Sequence, residues 1–459
     1  MAGIGFELRK IYGKETLASN IWGSVYAAFT TIGPTILFAG LVLSLKMLMD
    51  YYHASERESM FFISSFTYVF LTAILISSLM NTILSRYISD QIFSSKENKI
   101  SAAVLGSITI GSILSGMVML FFCIRMYMTD IQDIEFLIVY YWLGILATNA
   151  YNLITFVSGL KEYKKVTGGY FLGLLLSIPT FFICYFVLGL ELIMAAYCAL
   201  VFAFFATNMM LIFVCLKAFG KPDREYMAFI RYFGRFPRLV VSGFSYMLGF
   251  YISSVIYWNF SDMQAQVSIF RTSPKYDLAM FLAIVVNMPA LVIFVVKTET
   301  VFFEKYVNYL SALSSGSYKI IEKEQDTLGN TIRLQLFFVY EVQFIITVLL
   351  VILANVFFPY LSISSQALNM FTVLAIGLYS TFCMYFTVIF LYYFEDHKAS
   401  MYGPLAFCII TIVLALVASQ VGKPYYPLPI LIGAITGWII SYLALRDRLK
   451  NLDKFLMCR

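Results

Sequence analysis

Charge is scarce in this 459-residue chain: Asp, Glu, Lys and Arg make up 13% of it, where an ordinary soluble domain carries about one quarter. With 61% hydrophobic residues and a mean hydropathy of +0.82, the polar side chains cannot clothe a soluble fold of this length. Histidine is nearly missing. His53 and His397 stand far apart near span ends and form no metal-ligand cluster. Cys123, Cys184, Cys198, Cys215, Cys383, Cys408 and Cys458 are scattered through mostly apolar stretches, odd in number and without a CxxC pair. That pattern excludes a disulfide framework or zinc site and reads as small hydrophobes. No GxxxxGK[ST] phosphate loop occurs, and no soluble stretch is large enough for a nucleotide-sugar transferase. Asp130, Asp133 and Glu135 are the nearest thing to paired carboxylates, and sequence does not place them together. No catalytic residue, metal or cofactor is expected, and the chain reads as a non-enzyme.

What the chain has in abundance is long apolar runs. A membrane-crossing helix needs about 20 apolar residues, and twelve segments qualify. The first six are Ile21–Met47, Met60–Leu84, Ile100–Ile124, Ile134–Ser158, Gly169–Leu188 and Leu192–Leu216. The second six are Leu239–Trp258, Tyr276–Val296, Leu334–Leu353, Leu368–Tyr393, Tyr402–Ser419 and Leu428–Leu445. They are too long for barrel strands of about ten residues. The polar opening and the length of the run after it argue against a cleaved signal peptide, so the first helix is expected to remain as a span.

Loop charge fixes the sidedness. With the first residues inside, the inner segments hold 26 Lys and Arg and the outer loops five (Arg57, Arg125, Arg271, Lys275 and Lys423). Cytoplasmic loops are enriched in Lys and Arg, so both termini are expected to be cytoplasmic. The net charge of +6 is therefore read as lipid anchoring, not as a nucleic-acid surface.

The expected architecture is all-α and polytopic: twelve transmembrane helices in two six-helix bundles. The N-terminal bundle spans 1–216, a basic cytoplasmic linker 217–238, and the C-terminal bundle 239–459. Two six-span halves would be parallel copies about an axis near the membrane normal. Within the C-terminal half, 299–328 carries an amphipathic segment: Phe302, Tyr306, Leu310 and Leu313 follow helical spacing. It would lie on lipid, pack on its own chain or receive a cytosolic partner, and Lys323–Asp326 would be a solvated tail. Trp22, Trp142, Trp258 and Trp438 lie at or near predicted span ends, as in an interfacial belt.

Polar groups inside the apolar runs carry the functional information, because charge in hydrocarbon is costly unless paired or hydrated. Glu341 lies about seven residues into the ninth span, with Gln343 beside it. It is a candidate coupling carboxylate for a proton or cation, or else a structural acid. Asn149, Asn152, Asn208 and Asn287 are amides able to bond a hydroxylated cargo or to bridge helices. Gly33 and Pro34, adjacent helix disruptors in the first span, are the gating candidates; Pro179 and Pro289 are expected to interrupt the fifth and eighth. Lys46 and Asp50, four apart, read as an ion pair. Arg231, Arg235 and Arg238 form a basic strip for lipid headgroups or a cytoplasmic partner.

The opening MAGIGFELRK, the length, the twelve spans and the central basic loop resemble the membrane exporters of Pel exopolysaccharide systems, the PelG family. That family is related to the multidrug/oligosaccharidyl-lipid/polysaccharide (MOP) exporter superfamily. The resemblance implies a multi-pass protein of the bacterial inner membrane with two six-helix bundles around a central cavity. It implies export of a growing N-acetylgalactosamine-rich polymer. Implied partners are a cytosolic glycosyltransferase and membrane scaffold proteins, one of them responsive to cyclic-di-GMP. Two other functions fit the residues: a proton- or cation-coupled exporter of small molecules or lipid-linked oligosaccharides, and a noncatalytic scaffold for a synthase.

Overall fold

The computed structural model describes residues 32–129, 131, 133–160, 163–297, 301–361 and 363–450. The opening residues that carry the resemblance, the start of the first predicted span, Trp22, Asp130 and Cys458 lie outside them. Among the described residues, twelve helical stretches are long and apolar enough to cross a membrane. The chain divides into two compact units.

The N-terminal unit comprises Ile32–Met247 and Ala265–Thr272. Its helices are α1 (Gly33–Tyr51), α2 (Glu56–Phe93), α3 (Glu97–Thr129), α4 (Ile134–Gly159), α5 (Tyr163–Phe182) and α6 (Leu192–Phe219), followed by the short α7 (Arg231–Arg235). α4 is its centre and packs on α2, α3 and α6. Helix association in lipid rests on close packing instead of hydrophobic transfer, and the rings supply much of it. Phe38 lies 5.5–5.6 Å from Phe66, Phe70 and Phe204. The hairpin β1 (Ala265–Val267) and β2 (Phe270–Thr272), antiparallel with Val267 opposite Phe270, completes the unit. Phe270 is fully buried, 5.0 Å from Tyr68 and 5.8 Å from Phe61, and Tyr68 Oη donates to Arg271 O at 2.8 Å.

The C-terminal unit comprises Leu248–Gln264 and Ser273 onward. The division falls inside α8 (Pro237–Phe260), after Met247. There follow α9 (Pro274–Asn287), α10 (Pro289–Lys297), α11 (Phe303–Ser315), α12 (Tyr318–Phe357), α13 (Ser365–Tyr393), α14 (Ala399–Val421) and α15 (Leu428–Lys450). α13 is the central helix here, against α9, α12 and α15.

Segment 217–238, expected as a linker, is docked on the N-terminal unit. Phe229 is fully buried, Ser101 Oγ donates to Gly220 O at 2.8 Å, and Lys99 pairs with Glu225 at 2.9 Å. Gly106 allows this approach, because a methyl there would overlap the Tyr226 carbonyl.

Several helices differ from their hydropathy boundaries. α2 starts earlier than Met60 because Ser55 and Glu58 form a reciprocal capping box, Glu58 N to Ser55 Oγ at 3.2 Å and Ser55 N to Glu58 Oε2 at 2.6 Å. α12 begins four turns before the predicted ninth span. Residues 323–326 are therefore helix, not a solvated tail. The stripe Ile321, Leu328, Ile332 and Leu336 is buried and holds that extension down. α11 packs on its own chain: Tyr306 Oη donates to Tyr393 O at 3.2 Å, and Phe302 meets the Phe390 ring at 4.9 Å. Pro179 does not interrupt its span; α5 runs on to Phe182 and continues as a π-turn over Ile183–Val187. Pro289 does divide its span, into α9 and α10.

Candidate functional site

Each unit holds a buried polar centre at the positions where sequence placed intramembrane amides. In the C-terminal unit it forms around the Pro289 break. Proline has no N–H to give back to its own helix, so nearby carbonyls need other donors. Asn287 Nδ2 donates to Ala283 O and Ala375 O, both at 3.0 Å, tying α9 to α13. Asn287 Oδ1 accepts from Gln343 Nε2 at 3.3 Å and from Thr347 Oγ1 at 3.1 Å. Gln343 Nε2 also approaches Val286 O at 3.3 Å and Thr347 Oγ1 at 3.0 Å. Gln343 thus reaches one carbonyl beside the break, Val286 O, while Val285 O, the acceptor that Pro289 cannot serve, is met by Met288 N at 3.3 Å. Gln343 Oε1 is buried with no hydrogen-bond partner.

The N-terminal unit has its counterpart where α3 meets α4. Asn149 Nδ2 donates to Ser112 Oγ at 2.9 Å, and Asn152 Nδ2 meets Met80 Sδ at 3.7 Å. Gly111 makes room: a Cβ there would stand 2.6 Å from Asn152 Nδ2 and 2.8 Å from Asn149 Oδ1. Asn208 Nδ2 donates to Leu146 O at 2.9 Å, bridging α6 to α4. The Oδ1 atoms of Asn149, Asn152 and Asn208 are buried without a hydrogen-bond partner. An orphaned buried acceptor costs about 1–3 kcal/mol. Each of these oxygens can accept a hydrogen bond from water or a hydroxyl.

Glu341 stands apart from both centres. It is exposed, with no hydrogen bond or ion pair among the described residues, on a stripe of α12 that otherwise shows Leu334, Phe338, Ile345 and Leu349. One turn before it on α12, the Phe338 ring carries the Lys297 ammonium of α10 at 4.3 Å. Gln343, two residues on, faces the opposite way into the unit. Sequence proximity of Glu341 and Gln343 is not spatial partnership.

Gly33 and Pro34 open α1, so among the described residues Pro34 stands in a first turn, where its missing N–H is tolerated. Gly33 lies against α5; a Cβ there would be 2.8 Å from Thr167 Cγ2. Lys46 and Asp50 form the expected ion pair at 2.5 Å, and Asp50 also accepts from Ser59 Oγ at 2.6 Å. Arg231, Arg235 and Arg238 are all exposed on the docked segment, with Arg235 5.3 Å over the Phe236 ring.

Sequence reading missed three polar arrangements. Trp258, taken as an interfacial anchor, is buried and gives its Nε1–H to both carboxylate oxygens of Asp277, at 2.9 and 3.1 Å. Asp277 also accepts from Ser273 N at 3.0 Å, closing the first turn of α9. Its place soon after Ser273–Pro274 was the available signal. Asp262 accepts from Tyr426 Oη at 2.7 Å and pairs with Lys423 at 3.2 Å. Burial pushes its carboxyl up, but that hydroxyl and ammonium outweigh it and hold the group below the usual carboxylate range. Asp396 and Arg448 form a buried pair joining the start of α14 to α15. Among the described residues there is no group of His, Cys, Asp and Glu able to hold a metal.

Comparison with known proteins supplies the wider context. The family model described as PelG, "Putative exopolysaccharide Exporter (EPS-E)", matches residues 1–456. No curated protein matches the chain. Among solved structures, a MATE protein in the bent conformation aligns with a TM-score of 0.68 at 13% identity, over 94% of this chain and 96% of that one. An outward-facing MATE multidrug resistance transporter of the MOP superfamily aligns at 0.65 and 14% identity, over 93% and 96%. A MOP superfamily transporter from Pyrococcus furiosus, described as having a binding pocket of reverse polarity, aligns at 0.64 and 14%, over 94% and 96%. At such identities the likeness is one of fold: twelve spans built as two six-helix bundles.

Proposed function

The chain belongs to the PelG family, and from that premise we propose that this inner-membrane transporter carries a growing exopolysaccharide out of the cytoplasm during its synthesis. The observation that carries the proposal is the family match over nearly the entire chain. Physical demand agrees with it. A saccharide presents many hydroxyls, and moving them through hydrocarbon unsatisfied would cost several kcal/mol each by general transfer scales, of order 2–7 kcal/mol. Buried amides inside the bundles, with orphaned acceptors at Asn149, Asn152, Asn208 and Gln343, offer replacement partners through bridging water. The proposed polymer is N-acetylgalactosamine-rich, and the proposed partners are a cytosolic glycosyltransferase and membrane scaffolds, one responsive to cyclic-di-GMP. Arg231, Arg235 and Arg238 are proposed to face that assembly or the lipid beside it.

A second reading is favoured by the fold: MATE structures match 93–94% of the chain. On it, the cargo is a small molecule or a lipid-linked oligosaccharide, driven by a proton or cation gradient. Cells that make the polymer separate the two. Removing this chain should trap polymer inside or stall its elongation, while leaving efflux of cationic dyes unchanged. Lost dye efflux with undiminished polymer secretion would favour the second reading and reject the first.

A further inference from the structure

We propose that a cleft at the cytoplasmic ends of α12 and α15 binds a phosphate-bearing anion, and that its natural source is the headgroup of an anionic lipid. The cleft encloses about 380 Å³ within the C-terminal unit. Arg333 stands on the α12 wall, and Arg446 and Lys450 stand on the α15 wall. All three are exposed and have no hydrogen-bond or ion-pair partner among the described residues. The acid on the lining is Asp326, so the cleft carries a net excess of cations. The nearby buried acid, Asp396, is already engaged by Arg448. Asn330 and Tyr442 add neutral hydrogen-bonding groups, and Leu336 and Leu445 close the floor. Two guanidinium forks and an ammonium around one hollow suit a phosphate, which guanidinium can hold through paired charge-assisted bonds.

Depth points to a lipid. Arg333 directly precedes the apolar stretch of the ninth span, and Arg446 directly follows that of the twelfth. Both therefore sit at headgroup level on the side that loop charge marks as cytoplasmic. Beyond them toward the membrane, Phe337 follows Arg333 by one turn, and Leu443 and Ile439 precede Arg446 by one and two turns. These three side chains are 47%, 53% and 52% exposed. An acyl chain has an apolar ledge beside each cationic wall, and basic pockets between cytoplasmic span ends are a recognised setting for anionic headgroups. A soluble phosphate would use the cations and leave the ledges idle.

The test uses the full chain in nanodiscs of phosphatidylcholine with a minor fraction of phosphatidylglycerol, read by native mass spectrometry of retained lipid. We expect selective retention of phosphatidylglycerol that falls at least tenfold in Arg333→Gln/Arg446→Gln/Lys450→Gln. Lys319→Gln/Lys323→Gln, which removes charge from the same helix outside the cleft, should retain it. Matching melting temperatures in pure phosphatidylcholine would show that the triple variant is folded. Inorganic diphosphate is the soluble arm. Triple-variant-sensitive binding of diphosphate without lipid selectivity would overturn the lipid source and keep the phosphate chemistry. Equal phosphatidylglycerol retention in wild type and triple variant, with no diphosphate binding, would overturn the site.

Discussion

Asn287 is the residue on which most of the C-terminal polar centre depends, since it both donates to two helices and accepts from two side chains of a third. Asn287→Ala removes all four bonds at once. Interhelical hydrogen bonds in membranes average about 0.6 kcal/mol each, so a loss of about 1–3 kcal/mol is expected, measured by denaturant unfolding in detergent. Glu341→Gln is different in kind, because that exposed side chain makes no hydrogen bond or ion pair among the described residues. Stability should stay within about 0.5 kcal/mol of wild type, which makes the variant a clean probe of coupling. If the carboxylate carries protons or cations, gradient-driven transport falls while the melting temperature holds; unchanged transport removes Glu341 from the mechanism. Asp262 gives a pH signature at the outer face. Its carboxyl is held below the ordinary range, so the stabilisation is present above the unfolded value of about 3.9 and is lost as pH falls through the lower folded value. The melting temperature of Asp262→Asn should therefore lie below wild type near neutrality and meet it in strong acid; a gap that persists in acid would contradict this.

Among elements, α3 comes close to α4 at the N-terminal polar centre because residue 111 is glycine. Gly111→Ala should destabilise by about 1–3 kcal/mol through overlap with Asn149 and Asn152, visible as a lower melting temperature, and an unchanged value would mean the two helices stand farther apart. Periodicity and hydropathy made the spans legible because twenty apolar residues have few other uses. They did not make the ends legible. α12 continues four turns into the cytoplasm on a one-sided stripe of Ile321, Leu328 and Ile332, a pattern that hydropathy averaging discards. The amides of Asn149, Asn152, Asn287 and Gln343 were visible as polar residues in apolar surroundings. Their partners were not: Thr347 and Gly111 are ordinary residue types whose roles arise only when distant helices meet. The partner of Trp258 was hidden for the same reason, since Asp277, which accepts a hydrogen bond from its indole N–H, lies on the next helix.

At the scale of the molecule, the twelve-span plan, the charge asymmetry and the family match agree on a multi-pass exporter. What the cargo is depends on chemistry that no single helix displays, because hydroxyl-rich polymer and small cation place different demands on the same polar centres. The most direct measurement is made in sealed vesicles containing the proposed glycosyltransferase and scaffold partners, with and without this chain, supplied externally with nucleotide-activated sugar. Polymer that is protected from an added glycoside hydrolase only when the chain is present, with synthesis continuing in its absence, is the predicted result. Protected polymer accumulating equally in vesicles that lack the chain would contradict it.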